Sequence, residues 1–204
     1  MGPVRQRDRS GNWQKYTSGN PIQQRLISGF LASVKQAVDL AAPHTIADVG
    51  CAEGLVAQHL LADGCSARFV GADLDLTALC RGRTQSPHLA AQQADIYHLP
   101  YRDRSADLVL CLEVLEHLID PARAVGELRR VAAHYCLISV PHEPLFRLAN
   151  LARGKNAARL GDDPEHCQHW NGPGLIKFLQ RCGLAVRWIR RPLPWLLILT
   201  EVDH

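Results

Sequence analysis

A strand-like run that leads into a loop of small residues places the strongest constraint on how this chain can fold. Residues 45–49 read Thr-Ile-Ala-Asp-Val, residues 50–54 read Gly-Cys-Ala-Glu-Gly, and a helical pattern follows. Gly50, Ala52 and Gly54 keep large side chains out of the turn. A strand, a small-residue loop and a helix in this order begin a βαβ unit whose backbone can approach a nucleotide closely. The segment therefore predicts an α/β fold with a nucleotide site at this loop.

Strand-like and helix-like segments alternate along most of the chain. The predicted strands are 45–49, 68–72, 89–94, 106–112, 136–140, 184–190 and 195–202. The predicted helices are 21–42, 53–63, 75–82, 121–133 and 173–182. Such alternation predicts a doubly wound α/β fold with a mostly parallel sheet and right-handed crossovers. The last two strands lack a helix between them, so we expect them to add an antiparallel hairpin at one edge.

The length and composition are those of one ordinary globular domain. The chain has 204 residues, of which 47% are apolar and 21% are charged, and a chain of this kind can bury one sizeable core. We expect a single domain over residues 1–204, irregular up to residue 20 except where Trp13 and Tyr16 dock. Its parts are an N-terminal arm and helix (1–42), a ligand-binding core (43–140), an insertion that covers the substrate (141–171), and a C-terminal helix and hairpin (172–204).

The net charge and the cysteines limit the kinds of partner and the cellular compartment that we expect. The net charge is +3, and the main basic clusters are the Arg-rich N-terminus and Arg190-Arg191, which makes nucleic acid an unfavoured partner without excluding it. The seven cysteines are odd in number and form no CxxC pair, so we expect free thiols and a cytoplasmic location. We also expect no signal peptide and no membrane span, because no apolar run is long enough. The oligomeric state is left open, with a homodimer as one option.

Acidic residues follow several predicted strands in order. Asp73 comes after the second strand, Asp95 after the third and Glu113 after the fourth. In open α/β sheets, ligands bind beyond the carboxyl ends of the strands. A carboxylate after strand two can accept both hydroxyls of a ribose, and Asp95 with Ile96 is placed to receive an adenine amine and cover its ring. Each acid alone could instead cap a helix or a turn, but the ordered set favours a nucleotide site.

Over nearly its whole length the chain resembles the class I S-adenosylmethionine-dependent methyltransferases, including the type 11 and ubiquinone-biosynthesis O-methyltransferase-like members. The matching segments are 48–54, 70–73, 94–101, 106–118 and 139–141. Ala52 departs from the pattern, because many members have glycine there. The resemblance implies a Rossmann-like α/β fold of seven strands in the order 3-2-1-4-5-7-6, with an antiparallel last strand and helices on both faces.

The resemblance also implies the cofactor and the residues that bind it. S-adenosylmethionine would contact Asp48, Gly50, Cys51, Ala52, Gly54, Asp73, Leu74, Asp95, Ile96 and Leu112. The implied activity is transfer of a methyl group to an oxygen or nitrogen of a small-molecule acceptor. A dinucleotide-dependent oxidoreductase is the competing interpretation of the fold, but the loop reads G-x-A-x-G rather than G-x-G-x-x-G.

The segment after the fourth predicted strand carries two carboxylates and a histidine at short spacing. If it forms a helical turn, Glu113 shares one face with Glu116 and His117. Two carboxylates and an imidazole on one face are suitable ligands for a divalent ion. The Glu-x-x-Glu-His turn resembles that of small-RNA 2′-O-methyltransferases, which bind a metal with such a turn and a later histidine. That resemblance implies a divalent metal at Glu113, Glu116, His117 and His166, with His169 as the alternative to His166.

The same segment resembles many methyltransferases not known to use a metal, in which it packs against the cofactor and shapes the substrate pocket. An oxygen nucleophile still needs a base to take its proton. His117, His166 and His169 are therefore also the candidate catalytic residues.

Three functions stay open on the sequence. The first is a small-molecule O- or N-methyltransferase, and the second is a metal-assisted RNA-end 2′-O-methyltransferase, which the modest charge disfavours. The third is a non-catalytic, cofactor-binding partner subunit, against which the intact acids argue. The insertion carries Arg147, Arg153 and Lys155. These are either solvated residues of a packed helix or part of a lid that meets an anionic acceptor.

Overall fold

The computed structural model describes residues 11–86, 89–143 and 166–203. Its strands are β1 (Thr45–Val49), β2 (Arg68–Asp73), β3 (Ala90–Gln93), β4 (Ala106–Leu112), β5 (Ala132–Pro141), β6 (Leu184–Arg190) and β7 (Trp195–Val202). They form one seven-stranded sheet in the order β3-β2-β1-β4-β5-β7-β6. The first five strands pair in parallel, and β7 pairs antiparallel to both β5 and β6. The predicted fold class, strand order and antiparallel last strand are confirmed.

Helices occupy most of the connections in the described ranges. They are α1 (Gly11–Tyr16), α2 (Pro21–Ala41), α3 (Leu55–Ala62), α4 (Leu76–Gln85), α5 (Pro121–Val131) and α6 (Gly172–Arg181), with a 3₁₀ turn at Leu115–His117. α1 lies where the sequence predicts irregular structure. The side chain of Asn20 caps α2 by accepting from the N–H groups of Ile22 and Gln23, as expected for an N-cap residue.

Strand β5 begins earlier than the sequence predicts. The sequence pattern predicts a helix to residue 133 and a strand from residue 136, whereas α5 ends at Val131 and β5 starts at Ala132. Ala132 has an extended backbone and pairs with Ala106 of β4. Pairing with a neighbouring strand therefore overrides the local helical preference of alanine.

Helices bury the sheet on both faces. α2 and α3 cover one face, where Phe30 packs, and α5 and α6 cover the other, where Leu128 packs. Successive residues of β4 alternate between the two faces, so Val109 joins the α5 side and Leu110 the α2 side. Both are fully buried. This two-sided burial explains why β4 is an almost continuous apolar run.

The predicted substrate-covering insertion lies largely outside the described residues. Its positions 144–165, with Arg147, Arg153 and Lys155, are not described. Residues 166–169 return to the sheet beside the 3₁₀ turn. No helix in the described parts of the chain is long and apolar enough to span a membrane.

Helix α4 packs directly against the loop that follows β1. A Cβ built on Gly82 would lie 2.5 Å from the backbone carbonyl oxygen of Glu53. The neighbouring Arg81 donates from Nη2 to the Glu53 carboxylate at 3.0 Å, and Glu53 is only 1% exposed. Glycine at 82 therefore allows α4 to hold the loop in place.

We expect Gly82→Ala to destabilise the fold, although alanine is the better helix former. The added methyl would meet a backbone atom that cannot rotate away, and overpacking of this kind costs about 1–3 kcal/mol. Gly29→Ala in α2 is the matched control, because nothing lies within 4 Å of its Cβ position. That change should stabilise the protein by about 0.5–1 kcal/mol. Urea unfolding of both variants measures the effect, and destabilisation by Gly29→Ala but not Gly82→Ala would contradict this packing.

Candidate functional site

The loop after β1 uses a backbone conformation that favours glycine. Gly50, Ala52 and Gly54 have φ angles of 79°, 47° and 71°, so alternate residues lie in the left-handed region. A Cβ on Gly50 would lie 2.3 Å from Cγ2 of Val114. The N–H groups of Gly50 and Cys51 donate to the carbonyl of Ala72 at 2.7 and 3.2 Å. These bonds hold the loop across the carboxyl end of β2, which exposes backbone rather than side chains toward a ligand.

The predicted ribose acid, Asp73, ties this loop to β2. Its Oδ2 accepts from the N–H of Ala52 at 2.7 Å, and its Oδ1 accepts from the N–H of Asp75 at 2.8 Å. A carboxylate oxygen has two lone pairs, so each oxygen keeps capacity for a ligand hydroxyl. Leu74, beside it, is 69% exposed and offers apolar surface at the same rim.

The predicted adenine acid lies further toward the sheet edge. Asp95 is exposed, and its Oδ1 accepts from the N–H of Tyr97 at 2.9 Å. Ile96 beside it is half-buried, whereas Leu112 at the end of β4 is buried. Asp95 therefore acts in part as a turn residue, which was the alternative to a ligand-binding role. Its other carboxylate oxygen, Oδ2, lies 4.0 Å from Nδ1 of His98.

Asp48 in β1 is a buried acid with one unpartnered oxygen. The residue is 4% exposed, and its Oδ2 has no hydrogen-bond partner. Burial, followed by the charge of Asp73, raises the pKa of Asp48 to about 7. A buried carboxylate without a partner is costly, and a cationic ligand group would remove that cost by pairing with it.

A cavity of about 580 Å³ opens beside the glycine loop. It lies between α4 and the edge strand β3 and is lined by residues that include Gly54, Gly71 and Tyr101. Its lining does not include Asp48, Asp73 or Asp95.

The turn after β4 differs from the predicted helical turn. Glu113 has a φ of 61°, and the 3₁₀ turn begins only at Leu115. The expectation that Glu113 shares a helical face with Glu116 and His117 is therefore wrong. The left-handed backbone at Glu113 directs its carboxylate elsewhere, to the partners described next.

Glu113 is held by three other segments of the chain. Its Oε1 accepts from the Ser139 hydroxyl at 3.2 Å. Its Oε2 accepts from the Trp195 indole N–H, and Lys15 Nζ lies 3.5 Å from the same oxygen. These contacts give Glu113 a role as an anchor at the ends of β4, β5 and β7.

Three of the four predicted metal ligands do come together. Single ligand atoms of Glu116, His117 and His166 all lie within 4.8 Å of one another, and the two imidazole centroids are 5.0 Å apart. The N–H groups of Cys167 and Gln168 donate to the Glu116 carbonyl at 2.7 and 3.0 Å. These backbone bonds bring His166 to the turn. His169 is exposed and is not a member of this group.

The donor set of this group suits a divalent ion. Glu116 is 1% exposed, and its Oε2 has no hydrogen-bond partner. Burial, followed by the charge of Glu113, raises the pKa of Glu116 well above its usual range. One carboxylate with two imidazoles is a common ligand set for zinc and other divalent metals. An ion bound there would pair with the otherwise uncompensated carboxylate.

Sequence reasoning missed the part that α1 plays in this region. Burial and the charges of Glu113 and Asp48 raise the pKa of Tyr16, so the end of α1 lies near both acids. Lys15, the preceding residue, contacts Glu113 across 98 positions of sequence. No local pattern could reveal that contact, because a short polar segment with one lysine is common at chain ends.

Comparisons with known proteins agree with the geometry. A family model described as a methyltransferase domain matches residues 47–136. A probable S-adenosylmethionine-dependent methyltransferase of Mycobacterium tuberculosis is 36% identical over 104 residues, which make up 50% of this chain and 37% of that protein. A ubiquinone biosynthesis O-methyltransferase of Aromatoleum aromaticum is 34% identical over 89 residues, 40% of this chain and 36% of that protein.

A solved structure shares the fold over nearly the whole chain. The magnesium protoporphyrin IX methyltransferase of Synechocystis with bound SAH superposes with a TM-score of 0.72 at 17% identity, covering 93% of this chain and 92% of that chain. By contrast, the chain spans only 37% to 52% of the length of the first curated relatives. The matched family model includes the glycine loop and the acids that follow β1 to β4. Together these matches support a class I S-adenosylmethionine-dependent methyltransferase domain over residues 47–136, with S-adenosylmethionine as the cofactor.

Proposed function

We propose that the chain transfers the methyl group of S-adenosylmethionine to an oxygen or nitrogen of a small-molecule acceptor, at the carboxyl ends of β1 and β4. The observation that carries the proposal is the buried, unpartnered carboxylate oxygen of Asp48 beside the left-handed glycine loop. The cofactor is a sulfonium with an ammonium group, and a buried carboxylate favours such a cation.

The proposed cofactor site uses the residues that the sequence indicates. The ribose hydroxyls bond to Asp73, and the adenine lies against Asp95 and Ile96. The methionine ammonium faces Asp48. The remaining contacts come from Gly50, Cys51, Ala52, Gly54, Leu74 and Leu112. This placement supplies charge to the cationic end of the cofactor and apolar cover to its ring.

Methyl transfer requires the protein to position the cofactor and the acceptor, and it requires no covalent intermediate with the protein. An acceptor lone pair attacks the methyl carbon in line with the sulfur, the C–S bond breaks, and its electron pair stays on sulfur as a neutral thioether. Holding the two partners about 3 Å apart can supply roughly 7–11 kcal/mol of the barrier. The acceptor proton then needs a base, and His117 and His166 at the end of β4 are the candidates in place. His169, which is exposed outside that pair, remains a third candidate.

Oxygen is the favoured acceptor atom. The relative from Aromatoleum aromaticum is a ubiquinone biosynthesis O-methyltransferase. A hydroxyl acceptor also explains the use of two imidazoles beside the site, because hydroxyl oxygen is a poor nucleophile until its proton is removed. Nitrogen acceptors remain part of the proposal, since a neutral amine needs no base before attack.

A divalent metal at Glu116, His117 and His166 is a further part of the proposal. When bound, such an ion lowers the pKa of a coordinated hydroxyl and so activates an oxygen nucleophile. The same group favours one second candidate function, metal-assisted 2′-O-methylation of an RNA end. The net charge of +3 gives little attraction to a polyanion, so a small acceptor is preferred.

Cofactor binding should depend on Asp73. We expect Asp73→Asn to weaken S-adenosylmethionine binding by roughly tenfold to a hundredfold, because two charge-assisted hydrogen bonds to the ribose would lose their charge. Asp39→Asn is the control, since Asp39 pairs with Lys35 on the exposed face of α2. Titration calorimetry gives the affinities. If the wild-type chain binds no cofactor, or if Asp73→Asn binds it unchanged, the proposed site is wrong.

Cofactor affinity should rise with pH in the acid range. Without ligand, Asp48 has a pKa of about 7, and pairing with an ammonium lowers that pKa, so binding releases a proton. Affinity is therefore expected to increase from pH 5 to about 7 and then level off, before the cofactor's own α-ammonium titrates near pH 8. Asp48→Asn should remove the rise below pH 7 while leaving the fall near pH 8. An unchanged acid limb in that variant would contradict the role of Asp48.

Activity should be sensitive to chelators, because the proposed metal activates the acceptor hydroxyl. We expect a chelator to abolish turnover of a hydroxyl acceptor and magnesium, manganese or zinc to restore it. His117→Ala and His166→Ala should each lose bound metal, measured by elemental analysis, whereas His169→Ala should keep it. Cofactor-release assays over phenols, amines and short RNAs provide the turnover. Chelator-insensitive turnover would instead assign His117 and His166 to proton transfer.

A further inference from the structure

The last residues of α1 bring a cation to the acids at the strand ends. Lys15 Nζ lies 3.5 Å from Glu113 Oε2, and the two side chains are 24% and 19% exposed. The pair is thus screened from water much more than a surface ion pair is. It joins the N-terminal segment to the residue that follows β4.

Aromatic rings hold the Lys15 ammonium at this position. Nζ lies 4.6 Å from the ring centroid of Trp195, 5.7 Å from that of Phe30 and 5.8 Å from that of Tyr16. Each ring face attracts a cation. Trp195 also donates its indole N–H to Glu113, so one ring contacts both halves of the ion pair. These contacts fix the position of the Lys15 ammonium.

The ion pair borders the proposed position of the cofactor's cationic end. The pKa of Tyr16, the residue after Lys15, is raised in part by the charges of Glu113, which follows β4, and of Asp48 in β1. The end of α1 therefore lies near both acids, at the neighbouring strands β1 and β4, and the glycine loop follows β1. A sulfonium bound beyond β1 and β4 would have Asp48 and the Lys15–Glu113 pair as its charged neighbours.

We propose that Lys15 is a positioning residue that neutralises Glu113, so that the Glu113 carboxylate does not stabilise the cofactor's sulfonium before methyl transfer. The inference rests on the proposed placement of the cofactor. As the C–S bond breaks, its electron pair moves to sulfur and the positive charge disperses onto the transferring methyl group and the acceptor. A free carboxylate beside the sulfonium would favour the reactant over this dispersed state, and such ground-state stabilisation slows a reaction.

The test compares a charged ligand with its neutral counterpart. S-adenosylmethionine and S-adenosylhomocysteine differ by one methyl and by the charge on sulfur, so their affinity ratio reports the charge near that atom. In Lys15→Gln we expect calorimetry to show the ratio shifted about five- to tenfold toward S-adenosylmethionine. Glu113→Gln should shift it in the opposite direction, because Lys15 is then unpaired. The double variant should return close to the wild-type ratio.

Two further variants separate charge from structural damage. Lys15→Arg keeps the cation and should keep the wild-type ratio, and Lys35→Gln, on the exposed face of α2, is the control. In Lys15→Gln the kcat should fall while the KM for S-adenosylmethionine also falls. If Lys15→Gln and Glu113→Gln leave the ratio unchanged, or both shift it in the same direction, the proposal is overturned. Failure of the wild-type chain to bind either ligand would overturn the cofactor placement instead.

Discussion

The hydrogen bond from the N–H of Ala52 to the carboxylate of Asp73 is the contact on which the site depends. β1 and β2 are parallel neighbours, with Val49 opposite Ala72, so the loops that follow them begin side by side. The bond fixes one loop relative to the other. It also requires the backbone of Ala52 to accept a positive φ, which costs an alanine about 1–2 kcal/mol. A small residue is the least demanding replacement for glycine there.

Two buried acidic side chains without full hydrogen bonding lie at the same edge of the sheet. Asp48 and Glu116 are both nearly fully buried, and each has an oxygen without a partner. Buried carboxylates in this state destabilise the free protein and favour any ligand that brings positive charge. A third acid of this edge, Glu113, is paired with Lys15. The edge therefore offers two separate positions for a cation, one toward the glycine loop and one toward the histidines.

The sequence was sufficient wherever local pattern and burial agree. β1, β4, β6 and β7 have the predicted bounds, because apolar runs ended by glycine, proline or acidic residues define them. The sequence pattern misplaces Glu113, because its backbone N–H bonds to Ser139 and its carboxylate to Trp195, which lie 26 and 82 positions away. The helix α1 was missed for the same reason, since its anchoring contact spans 98 positions. Contacts of that range leave no periodic signal in a single sequence.

The turn after β4 joins the proposed cofactor side of the site to the side on which we propose that the acceptor binds. Residues 166–169 attach to it through the Glu116 carbonyl, and α1 attaches through the Glu113 carboxylate. The undescribed residues 144–165 connect β5 to the first of these attachments. A change in the bond that holds Glu113 would therefore alter the environment of Glu116, because the charge of Glu113 contributes to the raised pKa of Glu116. A substitution at either Glu113 or Glu116 should therefore change both the activation of the acceptor and the charge around the cofactor.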